Sequence, residues 1–362
     1  MVRILFVIMF IAVSCSSSDK VQIRDLSKDF PTTIELQGEV MNIPSDSLDD
    51  CLYFDIIGNY GVVCGQYGSR ILTTIDLNNG SINKSLTKGR GPGEFTNFNV
   101  LVSDSLYYLM QISPTMYHNT SDYYELCDCG DGLISKYGSF VVSDSLYTTP
   151  SVLFSSSNLI YDLSSSTPYY DGSMRCAVYD NSGELMDSIG NILDLKECYV
   201  NDLEFNLANF GGWYSKLRGV DCFVFCPFRG AYLEFYDCSD YLNKSMERVV
   251  YSIPKMDVEV IEGGYSARPT PDCIVGFTDI ASSAENYYCL YVGITQEEAV
   301  ARRYNNNSPD VYLYSATGKP LDHYKLDRDV KNIAVTPNGE YLYAWSPNEE
   351  TLEPQIVRYT LP

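Results

Sequence analysis

Val102-Ser-Asp-Ser-Leu-Tyr107 returns forty residues later, unchanged, as Val142-Ser-Asp-Ser-Leu-Tyr147. In each copy an apolar run enters, Asp-Ser supplies the turn, and Leu-Tyr opens the next strand. Asn332-Ile-Ala-Val-Thr-Pro-Asn-Gly-Glu-Tyr-Leu-Tyr343 follows the same plan with Pro-Asn-Gly as its turn. Around these units the chain is a succession of short β-rich runs parted by Gly, Asn, Asp, Ser and Pro. Helical periodicity is confined to Thr295–Arg303, where a capping Thr precedes early glutamates and late arginines. Repetition at this period in an all-β chain points to a propeller rather than a barrel or sandwich.

A second unit alternates with the first. Ile71–Gly80 leads into Ser81–Leu86, Ala177–Gly183 into Glu184–Ile189, and Val311–Gly318 into Lys319–Leu326. Each has alternating strand residues, an Asn-, Ser- or Thr-Gly turn and a return, as a tight hairpin requires. One inner and one outer hairpin make a four-stranded blade. Outer hairpins near 71–87, 115–127, 175–190, 232–251, 310–326 and 354–361 predict six blades. The last lacks its return strand, and Thr32–Gly38 is the segment expected to supply it and close the ring.

Composition narrows the partners. The 362 residues carry 25 Lys and Arg against 47 Asp and Glu, a net charge of −22. Such a surface repels nucleic acid and anionic headgroups, so DNA, RNA and direct lipid binding are disfavoured. Tyr is frequent at 31 and Trp scarce at 2. Tyr suits strands and half-buried positions, with an apolar ring and a wet hydroxyl.

The first residues read as an export signal. Arg3 precedes the apolar run Ile4–Val13, which is too short to span a bilayer. Ala12-Val13-Ser14-Cys15 resembles a bacterial lipobox. That resemblance implies cleavage before Cys15 and acylation there, with a removed signal over 1–14 and a lipidated tether over 15–29. The propeller is expected to occupy 30–362 as one domain. The expected place is the cell envelope, on a membrane through the lipid anchor and not in it.

Beyond Cys15 eleven cysteines remain, an odd number, so at least one thiol is unpaired within a monomer. In Cys222-Phe-Val-Phe-Cys226 strand alternation places both sulfurs on one face as small buried apolar groups. Cys127-Asp-Cys129 and this pair lack zinc-site spacing, and His118 and His323 are the only imidazoles. No metal ligand set is assigned.

Between the first and second blades lies Lys88-Gly-Arg-Gly-Pro-Gly-Glu-Phe95, whose glycines and proline fix a tight backbone. It lacks the strand–loop–helix context and the Gly-Lys-Ser/Thr ending of a phosphate loop. With the lipobox and the repeats, Gly89–Phe95 is similar to a segment of the TolB-like six-bladed propeller lipoproteins of Bacteroides and its relatives. The resemblance covers about 30–362 and implies an envelope lipoprotein, but no reaction. Lys88, Arg90 and Glu94 are the candidate ligand-binding residues at the channel mouth. The alternative for the loop is structural: glycines permitting the crossing, Phe95 wedged between blades, and Glu94 on backbone amides.

Asp76-Leu-Asn-Asn-Gly80 lacks the distal glutamate of a calcium loop and reads as a hairpin turn. No G-x-S-x-G elbow is present, no cofactor motif is found, and no catalytic residue is assigned. Asp46-Ser47-Leu48, Asp104-Ser105-Leu106, Asp144-Ser145-Leu146 and Asp187-Ser188-Ile189 resemble O-glycosylation sites, though Asp-Ser is also what a β-turn prefers, and turns are expected. The function expected is a binding or scaffolding module for a protein or carbohydrate partner. The alternative is a hydrolase with a carboxylate or calcium site at the central channel.

Overall fold

The computed structural model describes residues 21–43, 48, 51–65, 70–87, 89, 99–102, 107–112, 120–126, 134–141, 152–154, 160–162, 174–180, 184–191, 193, 212–240, 243–261, 264–303 and 305–362. The N-terminal part supplies α1 (Leu26–Asp29), β1 (Thr33–Leu36) and β2 (Glu39–Val40). The strands that follow form six blades. The first is β3 (Tyr53–Ile57), β4 (Tyr60–Cys64), β5 (Arg70–Asp76) and β6 (Ile82–Thr87). The second is β7 (Asn99–Val102), β8 (Tyr107–Ile112), β9 (Thr120–Leu126) and β10 (Ile134–Val141). The third is β11 (Val152–Phe154), β12 (Ile160–Asp162), β13 (Met174–Tyr179) and β14 (Leu185–Asn191).

The fourth blade is β15 (Gly212–Lys216), β16 (Cys222–Pro227), β17 (Ala231–Asp237) and β18 (Ser245–Ser252). A separate hairpin, β19 (Met256–Ile261) and β20 (Gly264–Pro269), stands between it and the fifth. The fifth is β21 (Ile274–Ser282), β22 (Asn286–Thr295), β23 (Ser308–Ser315) and β24 (Pro320–Val330), with the helix α2 (Gln296–Ala301) inserted after β22. The sixth is β25 (Asn332–Val335), β26 (Tyr341–Pro347) and β27 (Pro354–Thr360). Each blade is an antiparallel meander, and six blades match the number read from the outer hairpins.

An N-terminal strand closes the ring, as expected, but it is not the expected segment. β2 completes the sixth blade through Glu39↔Arg358 and Val40↔Val357. The Thr32–Gly38 run instead holds β1, which adds to the fifth blade as a fifth strand, parallel to β24 from Thr33↔His323 to Leu36↔Leu326. Both edges needed cover, and the longer run went to the longer strand.

Residues 21–29, the end of the expected tether, pack on the fourth blade. Ile23 bridges Val250 in parallel, the Arg24 amide donates to the Val250 carbonyl at 2.7 Å, and the Tyr251 hydroxyl donates to Asp29 at 2.8 Å. Phe30 then wedges against Tyr312 and Tyr314, with ring centroids 4.8 and 5.3 Å away.

The core lies between blades, as in any stack of twisted sheets with two apolar faces. Leu290, Val311 and Leu326 of the fifth blade meet Ile333, Leu342 and Val357 of the sixth. Val224, Leu233 and Phe235 of the fourth meet Phe277 and Tyr287 of the fifth. Phe54 and Ile75 of the first meet Ala334 and Ile356 of the sixth, while Cys176 and Val178 of the third meet Phe223 and Tyr236 of the fourth. Burial of one such side chain is worth roughly 1.5–3 kcal/mol, so each interface is strongly favoured.

One turn expectation fails. Asp187-Ser188-Ile189 lies inside β14, because Ile189 is buried against the third and fourth blades and its pairing with β13 overrides the local turn preference of Asp-Ser. The other three Asp-Ser pairs lie outside the described residues. So does Val142–Tyr147, whereas Val102 and Tyr107 do end β7 and open β8 as the repeat predicts.

Candidate functional site

Of the residues singled out in the sequence, Cys15, Lys88, Arg90, Glu94 and His118 lie outside the described residues. Asp76 does turn a hairpin: its carboxylate accepts from the Asn78 amide at 2.9 Å and the Asn79 side chain at 2.8 Å, and Gly80 takes φ +74°. His323 lies in β24, opposite Thr33 of β1. Its ring stacks on Tyr312 at 4.4 Å, with Nε2 2.8 Å from Asp310 and Nδ1 2.9 Å from the Thr33 hydroxyl. Cys222 and Cys226 lie buried in one apolar cluster, as alternation predicts. The eight described cysteines are all buried thiols. Burial pushes Cys222 and Cys238 up to about 12 and raises Cys64, Cys226 and Cys289 as well, so none of these five is a ready nucleophile.

The innermost strands β15, β21, β25 and β3 stand side by side around the axis. Polar groups among them are tied to the protein itself. Arg218, just past β15, reaches the Asp55 carboxylate of β3 at 2.7 Å and the Ile56 carbonyl at 2.9 Å. It thereby joins the fourth blade to the first, which stand opposite one another in a six-blade ring. Asp279 of β21 is buried and accepts from the Ile333 amide at 2.7 Å. Burial raises its carboxyl to about 7, against the pull of the Ile333 and Ile280 amides and the Asn332 side chain.

Where β15, β25 and β3 begin, the blades part to leave a cavity of about 550 Å³. That is within the size range of small-molecule sites. Trp213 and Phe228 form one wall, edge to face at 5.2 Å. Trp345 forms another, with the Lys331 ammonium 5.3 Å from its ring centre. Both tryptophans of the chain therefore line one cavity. Phe277 lies in its wall, and Arg229, Arg303 and the run Asn305-Asn306-Asn307 complete the rim. No carboxylate is found among the described residues that line it, although the chain as a whole carries −22.

Two further features mark the place. Four buried polar atoms in this lining have no hydrogen-bond partner: Thr278 Oγ1, Asn306 Oδ1, Asn332 Oδ1 and Trp345 Nε1. Buried polar atoms are nearly always paired, and each left unpaired costs about 1–3 kcal/mol. Asn332 is only 4% exposed and spends its Nδ2 on the Leu52 carbonyl at 3.3 Å. Arg303 and Leu352, the described non-glycine residues with left-handed φ (+54° and +60°), both sit on the rim. Such backbone strain gathers at ligand sites.

Sequence reading missed this cavity because its walls come from four blades. The scarce tryptophans and the run Arg302-Arg303-Tyr304-Asn305-Asn306-Asn307, basic then amide-rich in an acidic chain, were the available signals. α2 positions that run. Thr295 caps it reciprocally with Glu298, and its C-cap Arg302 delivers the chain to the rim.

Known proteins support the fold independently. No functionally curated protein matches the sequence. A putative exported protein from Bacteroides fragilis is similar in structure, with a TM-score of 0.54 at 11% identity over 91% of this chain and 99% of the other. A DUF4221 family member from Bacteroides vulgatus is also similar, with a TM-score of 0.52 at 12% identity over 90% and 97%. At the level of sequence, the family described as TolB-like 6-blade propeller-like matches residues 77–338. With six blades in the structure and that match over most of its length, this chain belongs to the TolB-like six-blade propeller family.

Proposed function

We propose that this protein is a lipid-anchored binding module of the cell envelope, and that its partner, protein or glycan, engages the cavity where the inner strands begin. The observation that carries the reading is the convergence there of both tryptophans with four unpaired buried polar atoms. A ring of sheets with an aromatic seat and unpaired polar atoms in its lining suits recognition. The lipobox at Cys15 supports the anchor, and the Bacteroides exported protein of like fold agrees with an envelope location. Binding is favoured over hydrolysis because the carboxylates found at the axis among the described residues are already engaged, Asp55 with Arg218 and Asp279 with backbone amides.

The test is capture from envelope extract with the protein expressed in a bacterium that processes lipoproteins. Wild type should label with an alkyne palmitate analogue, partition with membranes and retain a component that an Arg229→Ala/Lys331→Ala variant loses. A Cys15→Ala chain should be unlabelled yet retain that component. Equal labelling of the Cys15→Ala chain refutes the anchor, and equal capture by the cavity variant refutes the seat.

A further inference from the structure

We propose that the occupant of this cavity is an acidic carbohydrate, sugar rings that bear carboxylate or sulfate groups. The inference rests on the binding reading above and names the ligand class for the same site.

Three observations select that class jointly. The first is aromatic. Trp213, Trp345 and Phe228 are partly exposed at the cavity, and the Phe228 ring is 42% exposed although it is large and apolar. A flat indole left at the surface covers the C–H face of a pyranose ring with little entropy cost, since its side chain has only two torsions. The second is charge. Arg229, Arg303 and Lys331 gather at a cavity whose described lining holds no carboxylate, on a chain with 22 more acidic than basic residues. Two guanidinium forks and an ammonium donate directly to carboxylate or sulfate oxygens. The acidic remainder of the surface repels anions that lack such a seat, so an anion held here is held specifically.

The third is hydrogen-bond polarity. The unpaired atoms include two amide oxygens, Asn306 Oδ1 and Asn332 Oδ1, which need a donor. Trp345 Nε1 needs an acceptor, and Thr278 Oγ1 takes either role. A bare phosphate, sulfate or carboxylate offers acceptors alone and would leave both amide oxygens unsatisfied. A hydrocarbon acid fails in the same way. Sugar hydroxyls donate and accept, so a polyhydroxylated anion suits this mixed set of amide oxygens, hydroxyl and indole N–H as well as the three cations. The cavity volume of about 550 Å³ accommodates one or two such rings.

The experiment uses tryptophan emission, because both indoles of the chain lie in this cavity and occupancy changes their environment directly. The full-length lipoprotein in detergent is titrated with a panel of uronate-bearing, sulfated and neutral oligosaccharides matched in length, and with sodium sulfate and sodium acetate alone. The expected result is saturable quenching or a spectral shift by acidic oligosaccharides. Neutral counterparts should bind at least tenfold more weakly, and the two salts should give no saturable signal. The source is separated by the two acidic arms, uronate against sulfated. Arg229→Ala and Lys331→Ala should each weaken acidic binding several-fold with unchanged far-ultraviolet spectra. Trp345→Phe, which keeps a ring but removes the Nε1 donor, should weaken neutral and acidic sugars alike. Neutral sugars binding as well as acidic ones, or no oligosaccharide binding at all, overturns the proposal. If cavity-dependent capture from envelope extract persists in that case, the binding reading survives and the ligand class alone is wrong.

Discussion

At the scale of single residues, the ring is pinned by a few buried charges. Arg175 and Glu234 are almost wholly buried, and their 2.7 Å ion pair joins the third blade to the fourth. The Tyr232 hydroxyl accepts from the Arg175 guanidinium at 2.9 Å, Tyr236 donates to Glu234 at 3.0 Å, and Arg248 closes on the other carboxylate oxygen at 2.8 Å. Every polar atom named there has a partner, which is what makes such burial tolerable. Asp279 is different, because burial holds its proton to about pH 7. Between an unfolded value near 3.8 and the folded value near 7, the unfolded chain releases this proton first. Rising pH therefore favours unfolding over that window, and the contribution present at low pH is lost as pH climbs toward 7. Asp279→Asn, which keeps an acceptor for the Ile333 amide, should remove that slope. In urea unfolding, wild type should lose on the order of 2 kcal/mol relative to the variant between pH 5 and 8. Parallel profiles would show that the carboxyl is ionised throughout. No reading of Asp-Ile-Ala in sequence singles this residue out, since its burial depends on a neighbouring blade.

At the scale of elements, the outer hairpins of the blades were legible and the β19–β20 insertion was not. Alternation and Gly-bearing turns are local, so the outer pairs β5–β6, β13–β14 and β23–β24 fall where sequence places them. Gly318, at φ +77° and with a Phe235 ring carbon 2.5 Å from where a Cβ would sit, shows why that turn demands glycine. The hairpin β19–β20 carries no repeat signature and went unread. α2 was legible through its cap. The Thr295 hydroxyl accepts from the Glu298 amide at 3.2 Å while Glu298 accepts from the Thr295 amide at 2.8 Å. Thr295→Ala should cost about 1 kcal/mol of local stability, whereas Thr295→Ser should cost little. Amide hydrogen exchange over 298–302 would read this as roughly fivefold faster opening in the alanine variant. Unchanged exchange would mean that packing of Ala299 against Val275 and Ile294, and not the cap, holds the helix.

At the scale of the whole molecule, the propeller was legible because its repeats are written locally and six outer hairpins can be counted along the chain. The cavity was not, since Leu52, Trp213, Phe277 and Trp345 lie far apart in sequence and meet only once four blades are in place. The N-terminal segment was half legible. It covers three blades in turn: Ile23 at β18, β1 at β24, and β2 at β27. A chain starting at residue 21 should fold and melt like the full protein. One starting at residue 41 should leave two strand edges bare, lower the melting temperature by on the order of 10 °C and self-associate. Calorimetry and light scattering would decide, and equal melting of the two would show the wrap to be ornamental.

That wrap also sets how traction travels. A pull on the N-terminus loads Ile23 and Arg24 first, then the four parallel pairs of β1, and reaches the two pairs of β2 only after both have let go. The two-pair clasp that completes the sixth blade is thus last in series, shielded by the longer hold of β1 upstream, so a ring tugged by its leading end stays shut until most of its moorings have failed.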